Sequence, residues 1–347
     1  MSETNFTLID DGRAVEVAAR ISGDSVRLSP ATVHAALGWE LKPEGLCQGA
    51  VCVPVRDRAA LLNADGIDLA ALAHALQRPL ALEAGERVAY LAASAAERGA
   101  QLASLQAPDV ALPALDGTLH RIADYRGKKV LLVAHASWCG CRYDLPAWQQ
   151  LYAELKDYGF VVITVALDKS LEDARPWIEA AQAAHPSLVD TEHRLADLYG
   201  MVNVPTVVWI DEAGRIVRPN AAAFGSEIFK DLTGFDSPAF LDAVRAWVKN
   251  GTGALSADEA RQQLMLPSPD EQLAKAHFGL GWHLHQAGRG EAAARHFARA
   301  GELSPDDFTV RRAAMPIQGI DPMVSPEFLQ LFNEWTERGR PYYRPRS

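Results

Sequence analysis

The four cysteines of this 347-residue chain fall into two close pairs, Cys47/Cys52 and Cys139/Cys141. Thiols at such short spacing suit either disulfide exchange or the binding of a soft metal. The second pair lies in SWCGCRYDLP, residues 137–146, where Trp138 precedes the first sulfur and the single residue Gly140 separates the two. An apolar pattern of helical spacing follows directly, so Cys139 is expected at a helix N-terminus, where unpaired N–H groups and the helix dipole favour a thiolate. Positions i and i+2 of a regular helix point to nearly opposite faces. A Cys139–Cys141 disulfide is therefore expected to need a non-helical bend, which Gly140 permits, and to be strained and more oxidising than a relaxed one.

Cys47 and Cys52 flank QGAV in LCQGAVCVPV, a spacing that suits a tight turn. Three readings stand side by side. The pair is a second redox couple exchanging electrons with Cys139 and Cys141, or ordinary thiols or a local disulfide, or half of a four-thiolate metal site. The one-residue spacing of Cys139 and Cys141 chelates a single ion poorly, which weighs against the last. His135, four residues before Cys139, is a candidate to tune the thiolate or carry a proton, and equally a strand histidine satisfied by its neighbours. His283 and His285 are two apart and point to different helix faces, with His296 distant, so they read as surface or packing residues. Asp168 and Glu172 are expected to be solvated. Neither a metal nor a cofactor is expected.

The elements that must position these residues can be read from periodicity. KKVLLVAHA and FVVITVALD are near-continuous apolar runs, as expected of central strands buried on both faces. LPAWQQLYAELKDYG has helical spacing and ends at Gly159; LEDARPWIEAAQAA and EHRLADLYG also read as helices. PTVVWIDEAGRIVRP reads as two strands about a turn, and SPAFLDAVRAWVKNG as a closing helix with Ser237 as N-cap and Gly251 beyond its end. Upstream, FTLIDDGRAVEVAARISGDSVRLS alternates strands with turn signals, Ser29-Pro30 opens a helix, and IDLAALAHAL is helical. ERVAYLAASAAERGAQLASL mixes strand and helix signals.

Here the residues point to a family. APDVALPALDGTLHRIADYRGKKVLLVAHASWCGCRYDLPAWQQLY resembles the entry to a thioredoxin-fold redoxin of the TlpA/ResA kind, related to AhpC/TSA, which shows a DG…L.D.RGK.VLV.FWASWC..C…E.P run. YGMVNVPTVVWIDEAGRIV is similar to the family's YGV.G.PT.FLID..G.IV. The resemblance implies a mixed sheet flanked by helices, with Cys139 as attacking thiolate, Cys141 as resolving thiol, Trp138 as the shielding aromatic and Pro205 as a cis proline that sets Val204 against the substrate disulfide. Three departures stand out. The family has two residues between its cysteines. Val133 occupies the place of a buried carboxylate proton acceptor. The peroxiredoxin pattern Pro-x-x-x-Thr-x-x-Cys is absent. Further on, AKAHFGLGWHLHQAGRGEAAARHFARAGELSPDD resembles one tetratricopeptide unit of about 34 residues, carried by Gly281, Leu284, Ala293, Phe297, Ala300 and Pro305. A single copy cannot bury its outer face. It is expected to pack on the redox domain, on the helix SPEFLQLFNEWTER or on a second subunit.

Composition bounds the rest. Apolar residues make up 48% and charged residues 22%, enough for ordinary cores. A formal charge of −10 and a pI near 5.5 argue against nucleic-acid or anionic-membrane partners. No secretory signal pattern and no run of membrane-spanning length is present, and a cytoplasmic location is expected. The expected organisation is α/β: an α+β accessory domain at 1–105, a thioredoxin-like domain at 106–250 and a helical tetratricopeptide-like region at 251–347. The expected function is thiol–disulfide exchange with a protein or small-molecule thiol or disulfide, with Cys141, or else Cys47/Cys52, as the resolving side. The alternatives are a soft-metal-binding thiol protein for Zn(II), Cu(I) or Hg(II) and a redox-inactive scaffold.

Overall fold

A computed structural model describes residues 3–339; most of the arginine-rich end RGRPYYRPRS, which its composition leads one to expect as a solvated end, lies outside the described residues. Backbone packing divides the chain into residues 1–98 with 267–304, and residues 99–266 with 305–347. The C-terminal helical region expected at 251–347 is thus shared between the two units instead of standing as a third.

In the first unit, the turn signals work as local chemistry dictates. Asp11 and Gly12 both take positive φ (45° and 90°), the left-handed backbone that a tight hairpin between Thr4–Asp10 and Arg13–Ser22 needs. These strands lie inside a seven-stranded sheet that runs Leu62–Asn63, Gly66–Asp68, Ser25–Leu28, Arg13–Ser22, Thr4–Asp10, Val88–Leu91, Leu80–Glu83. Ser29 caps the helix Pro30–Leu37 by accepting the Thr32 N–H, as the sequence predicts. The ambiguous segment resolves into the strand Val88–Leu91 and the helix Ala95–Ala103. LCQGAVCVPV becomes an antiparallel hairpin, Gly45–Gln48 with Val51–Val53.

The tetratricopeptide-like segment forms an antiparallel pair of helices, Pro269–Gln286 and Gly290–Leu303. Its small residues set the distances of approach. A Cβ on Gly281 would lie 2.9 Å from the Phe297 ring, and one on Gly279 would lie 2.4 Å from the Tyr90 ring. The second contact corrects the expected packing: the pair rests on the N-terminal sheet, and the Arg295–Glu83 and Arg289–Glu86 ion pairs tie it there.

The second unit is built on a five-stranded mixed sheet in the order Ser187–Val189, Phe160–Ala166, Lys129–His135, Thr206–Ile210, Ile216–Ala221. The first three strands are parallel, Thr206–Ile210 runs antiparallel to them, and Ile216–Ala221 runs antiparallel to Thr206–Ile210. Both apolar runs are central strands, buried as the sequence predicts. Helices Leu145–Leu155, Leu171–Ala180 and Ser237–Asn250 flank the sheet, as its apolar faces require. The core is aromatic-rich, with Trp209 stacked on Trp247 at 4.8 Å and Phe240 edge-on to Trp148 and Trp209. Two local expectations change. Asp236, not Ser237, caps the closing helix through the Ala239 N–H, because the Ser237 hydroxyl donates to the Ser226 carbonyl instead. Of EHRLADLYG, only Arg194–Leu198 is helical.

Candidate active site at the Cys139–Cys141 dithiol

The strand Lys129–His135 ends at the edge of a loop, and the chain then turns into the 3-10 turn Gly140–Asp144 that runs on into the helix Leu145–Leu155. Cys139 is the N-cap of that turn. Its backbone is extended (φ −113°, ψ 145°), and its sulfur accepts the Cys141 N–H at 3.3 Å. The non-helical bend expected at Gly140 is therefore at Cys139 itself, and it brings the two sulfurs within reach of each other. Gly140 has another task. A Cβ there would lie 2.3 Å from Cζ of Phe229, so the glycine is needed for the close approach of that ring.

Opposite the turn, the Val204–Pro205 bond is cis, and the Cys139 thiol donates to the Val204 carbonyl at 3.5 Å. Trp138 is buried, and its indole N–H donates to the Leu167 carbonyl at 2.8 Å, which fixes the ring beside the site. Three of the four candidate residues, Cys139, Cys141 and Pro205, thus meet at one point, with Trp138 as a wall.

The two thiols differ electrostatically. For Cys139, burial pushes the thiol up. The hydrogen bond from Cys141, the Arg312 guanidinium and the Cys141 N–H outweigh it, so the net shift is downward. Cys141 moves the other way, raised by burial and by the neighbouring Cys139. One sulfur is prepared to be a thiolate and the other to keep its proton.

Two charged groups here were not singled out in the sequence. Asp144 is fully buried. Its Oδ1 accepts from the Ser226 hydroxyl, the Gly225 and Ser226 N–H groups face it, and its Oδ2 has no hydrogen-bond partner. Burial raises its carboxyl pKa, and its charge acts on both sulfurs. The signal for it is present, since Asp144 stands where the resembled pattern has Glu two residues before the Pro. Arg312 comes from the segment after residue 304, and no motif marks it. Its guanidinium lies 4.3 Å over Phe328 and 5.5 Å from the Trp138 ring, and it donates to the Pro322 carbonyl at 2.8 Å.

Asp168 corrects an expectation. It is 1% exposed, and it accepts from the Ser137 N–H at 3.0 Å and the Ser137 hydroxyl at 2.6 Å, anchoring the loop before Trp138. Burial lifts its pKa to about 6. Glu172 is on the surface, as expected. His135 is buried with both ring nitrogens unpaired, and burial with the nearby His185 holds it neutral, at about 3. The charges acting most on Cys139 are Arg312 and Asp144, which leaves no tuning role visible for His135. His296 meets His277 at 2.8 Å between Nδ1 atoms, and His283 and His285 lie on the outer part of their helix.

Cys47 and Cys52 are joined in a disulfide across the hairpin. That is the local-disulfide reading, and it removes both sulfurs from a four-thiolate site. Among the described residues no group of three or more His, Cys, Asp or Glu is placed to hold a metal ion.

Residues 104–218 match the model of the AhpC/TSA family. The thiol-disulfide oxidoreductase ResA of Geobacillus thermodenitrificans strain NG80-2 is 29% identical over 123 residues, covering 35% of this chain and 71% of that protein. The thioredoxin-like protein YneN of Bacillus subtilis strain 168 is 36% identical over 114 residues, covering 32% of this chain and 66% of its own. Among solved structures, the exposed lipoprotein thioredoxin of Streptococcus pneumoniae strain TIGR4 is 30% identical, covers 40% of this chain and 98% of its own, and gives a TM-score of 0.33.

Proposed function

From the premise that this chain is, over residues 104–218, a thioredoxin-fold redoxin of the TlpA/ResA type and a thiol-disulfide oxidoreductase, we propose that Cys139 is its attacking thiolate and Cys141 its resolving thiol. The observation that carries this is the opposed setting of two neighbouring sulfurs: Cys139 caps a helical turn beside a cation, and Cys141 is held protonated behind it.

The steps follow from those positions. Cys139 thiolate attacks one sulfur of a substrate R–S–S–R′, and R′S⁻ leaves. The product is a mixed disulfide, Cys139–S–S–R. Cys141 then gives up its proton and attacks Sγ of Cys139, which releases RS⁻ and closes Cys139–Cys141. Two electrons pass from the dithiol to the substrate, and the reverse sequence oxidises a dithiol. Asp144, buried in the same turn with its charge acting on both sulfurs, is the base assigned to take the Cys141 proton. Val204, with its carbonyl on Cys139, marks the backbone against which the substrate disulfide lies. A cytoplasmic setting is part of this proposal. There the Cys47–Cys52 bond would turn over and not persist.

Trapping tests the assignment. Cys141→Ser protein, reduced and mixed with substrate disulfide, should accumulate a mixed disulfide on Cys139 that mass spectrometry maps. Accumulation on Cys52 or Cys47, or a Cys139–Cys52 link in the wild-type protein, would move the attacking or resolving role to the N-terminal pair.

A further inference from the structure

We propose that this dithiol acts on a low-molecular-weight, apolar organic disulfide, held in a cavity that the segment after residue 304 roofs over the site. The inference rests on Cys139 being the attacking thiolate.

The cavity measures about 590 Å³ and is reached by Cys139, Gly140 and Cys141. That is the size of a small-molecule pocket. One wall is the segment after the last strand, with Phe229 and, from the short helix Lys230–Thr233, Leu232; the other is the helix Pro326–Glu337, with Phe328, Leu329, Phe332 and Trp335. The roof is anchored on the redox fold itself. The Phe308 N–H donates to the Val202 carbonyl at 2.7 Å and the Thr309 hydroxyl to the Met201 carbonyl at 3.2 Å, just before the cis proline.

Three features select the ligand. First, Cys139 is 6% exposed and Cys141 1%. Disulfide exchange needs the incoming sulfur in contact with the thiolate, and a small free disulfide reaches a recessed sulfur more readily than a bond fixed on a folded protein surface. Second, Leu232 and Leu329, 51% and 52% exposed, belong to the lining. Large apolar side chains left in water at the mouth of an apolar cavity fit an apolar ligand body. Third, Asn203 lines the cavity, 1% exposed. Its Oδ1 takes the Val204 N–H at 2.8 Å, which fixes the amide and leaves Nδ2 with no hydrogen-bond partner. A ligand acceptor atom beside the reacting sulfur would satisfy that donor.

The balance is that of the exchange above: R–S–S–R gains two electrons and two protons from Cys139 and Cys141 and leaves as two RSH. Dithiothreitol restores the dithiol in an assay.

The test is kcat/KM for three disulfides under dithiothreitol: 4,4′-dithiodipyridine as neutral aromatic, oxidised glutathione as polar and ionic, and insulin as a folded protein. Each value is divided by that disulfide's direct rate with dithiothreitol. The aromatic disulfide should lead by about tenfold or more, and Leu329→Gln and Leu232→Gln should each lower its rate by about tenfold, a larger loss than either variant causes for glutathione disulfide. Both leucines are half in water, so circular dichroism should show the variants folded. Equal normalised rates, a lead for insulin, or variants that change nothing would overturn the proposal. If none of the three exceeds the Cys139→Ser background, the proposal falls together with the assignment of Cys139.

Discussion

The two cysteine pairs of this chain use opposite ways of placing two sulfurs side by side. In the hairpin, Cys47 and Cys52 face each other across antiparallel strands, with Cα atoms 4.1 Å apart, and they are bonded. Backbone register alone does this. At Cys139 and Cys141 the backbone changes from extended to helical between the sulfurs, and both remain thiols. Around this second pair converge an N–H, a guanidinium, a carboxylate, a carbonyl beside a cis proline and a cavity, drawn from five parts of the chain. Proximity of thiols therefore does not mark the reactive pair here. What marks it is the asymmetry that the surroundings impose, since exchange needs one sulfur ionised and the other held back.

The sharpest break of that comparison is to remove each pair in turn. Cys139→Ser should abolish disulfide exchange, by about a thousandfold or more in turnover, because the thiol that remains, Cys141, is buried and held protonated. The double variant Cys47→Ser/Cys52→Ser should keep turnover within about twofold and lower the thermal stability, by about 2 kcal/mol for a loop this short. A turnover loss in the double variant as large as that of Cys139→Ser would show that the pairs work as one relay. Next in size is Asp144→Asn. Removing a base from a buried proton transfer costs roughly a hundredfold. The loss should fall on resolution, seen as a longer-lived mixed disulfide in rapid-quench samples, with the first attack nearly unchanged. An equal slowing of both steps would make Asp144 a structural acid only.

How much of this was legible beforehand follows from what each residue depends on. The central strands were legible because burial on both faces leaves an unbroken apolar run, and Val130 to Ala134 are fully inside. The place of Cys139 at the start of a helical turn was legible from the apolar spacing after it. The true position of the bend was not. The non-helical backbone is at the cap, Cys139, while Gly140 is required by the close Phe229 ring, and Phe229 lies in a loop far along the chain. Asp144 was half legible, as an acid at a patterned position whose burial the sequence does not state. Arg312 was not legible at all, since its neighbours in DDFTVRRAAM form no motif and only the return of the C-terminal segment to the site gives it meaning. Asp168 and the helix pair 269–303 were misjudged for the same reason. A surface-like composition does not reveal which partner covers it.

The finest prediction concerns pH and isolates one part of the asymmetry. The groups that act on the Cys139 sulfur are Cys141 and Asp144 from its own turn and Arg312 from the C-terminal segment. Burial and the Asp144 charge oppose the thiolate; the Cys141 hydrogen bonds and Arg312 favour it and prevail. Alkylation by iodoacetamide follows the thiolate fraction, so its rate on Cys139 should rise with pH and level off below the ordinary thiol range of about 8.5. In Arg312→Gln one of the favourable contributions is gone while burial stays. The inflection should then move to higher pH, with the plateau rate nearly kept, and Arg312→Lys should restore most of it. An unchanged inflection would mean that the arginine serves only to hold Phe328 and Pro322. The downward shift at Cys139 would then come from Cys141 alone, and the asymmetry of the pair would be an internal property of the turn, independent of the segment that roofs it.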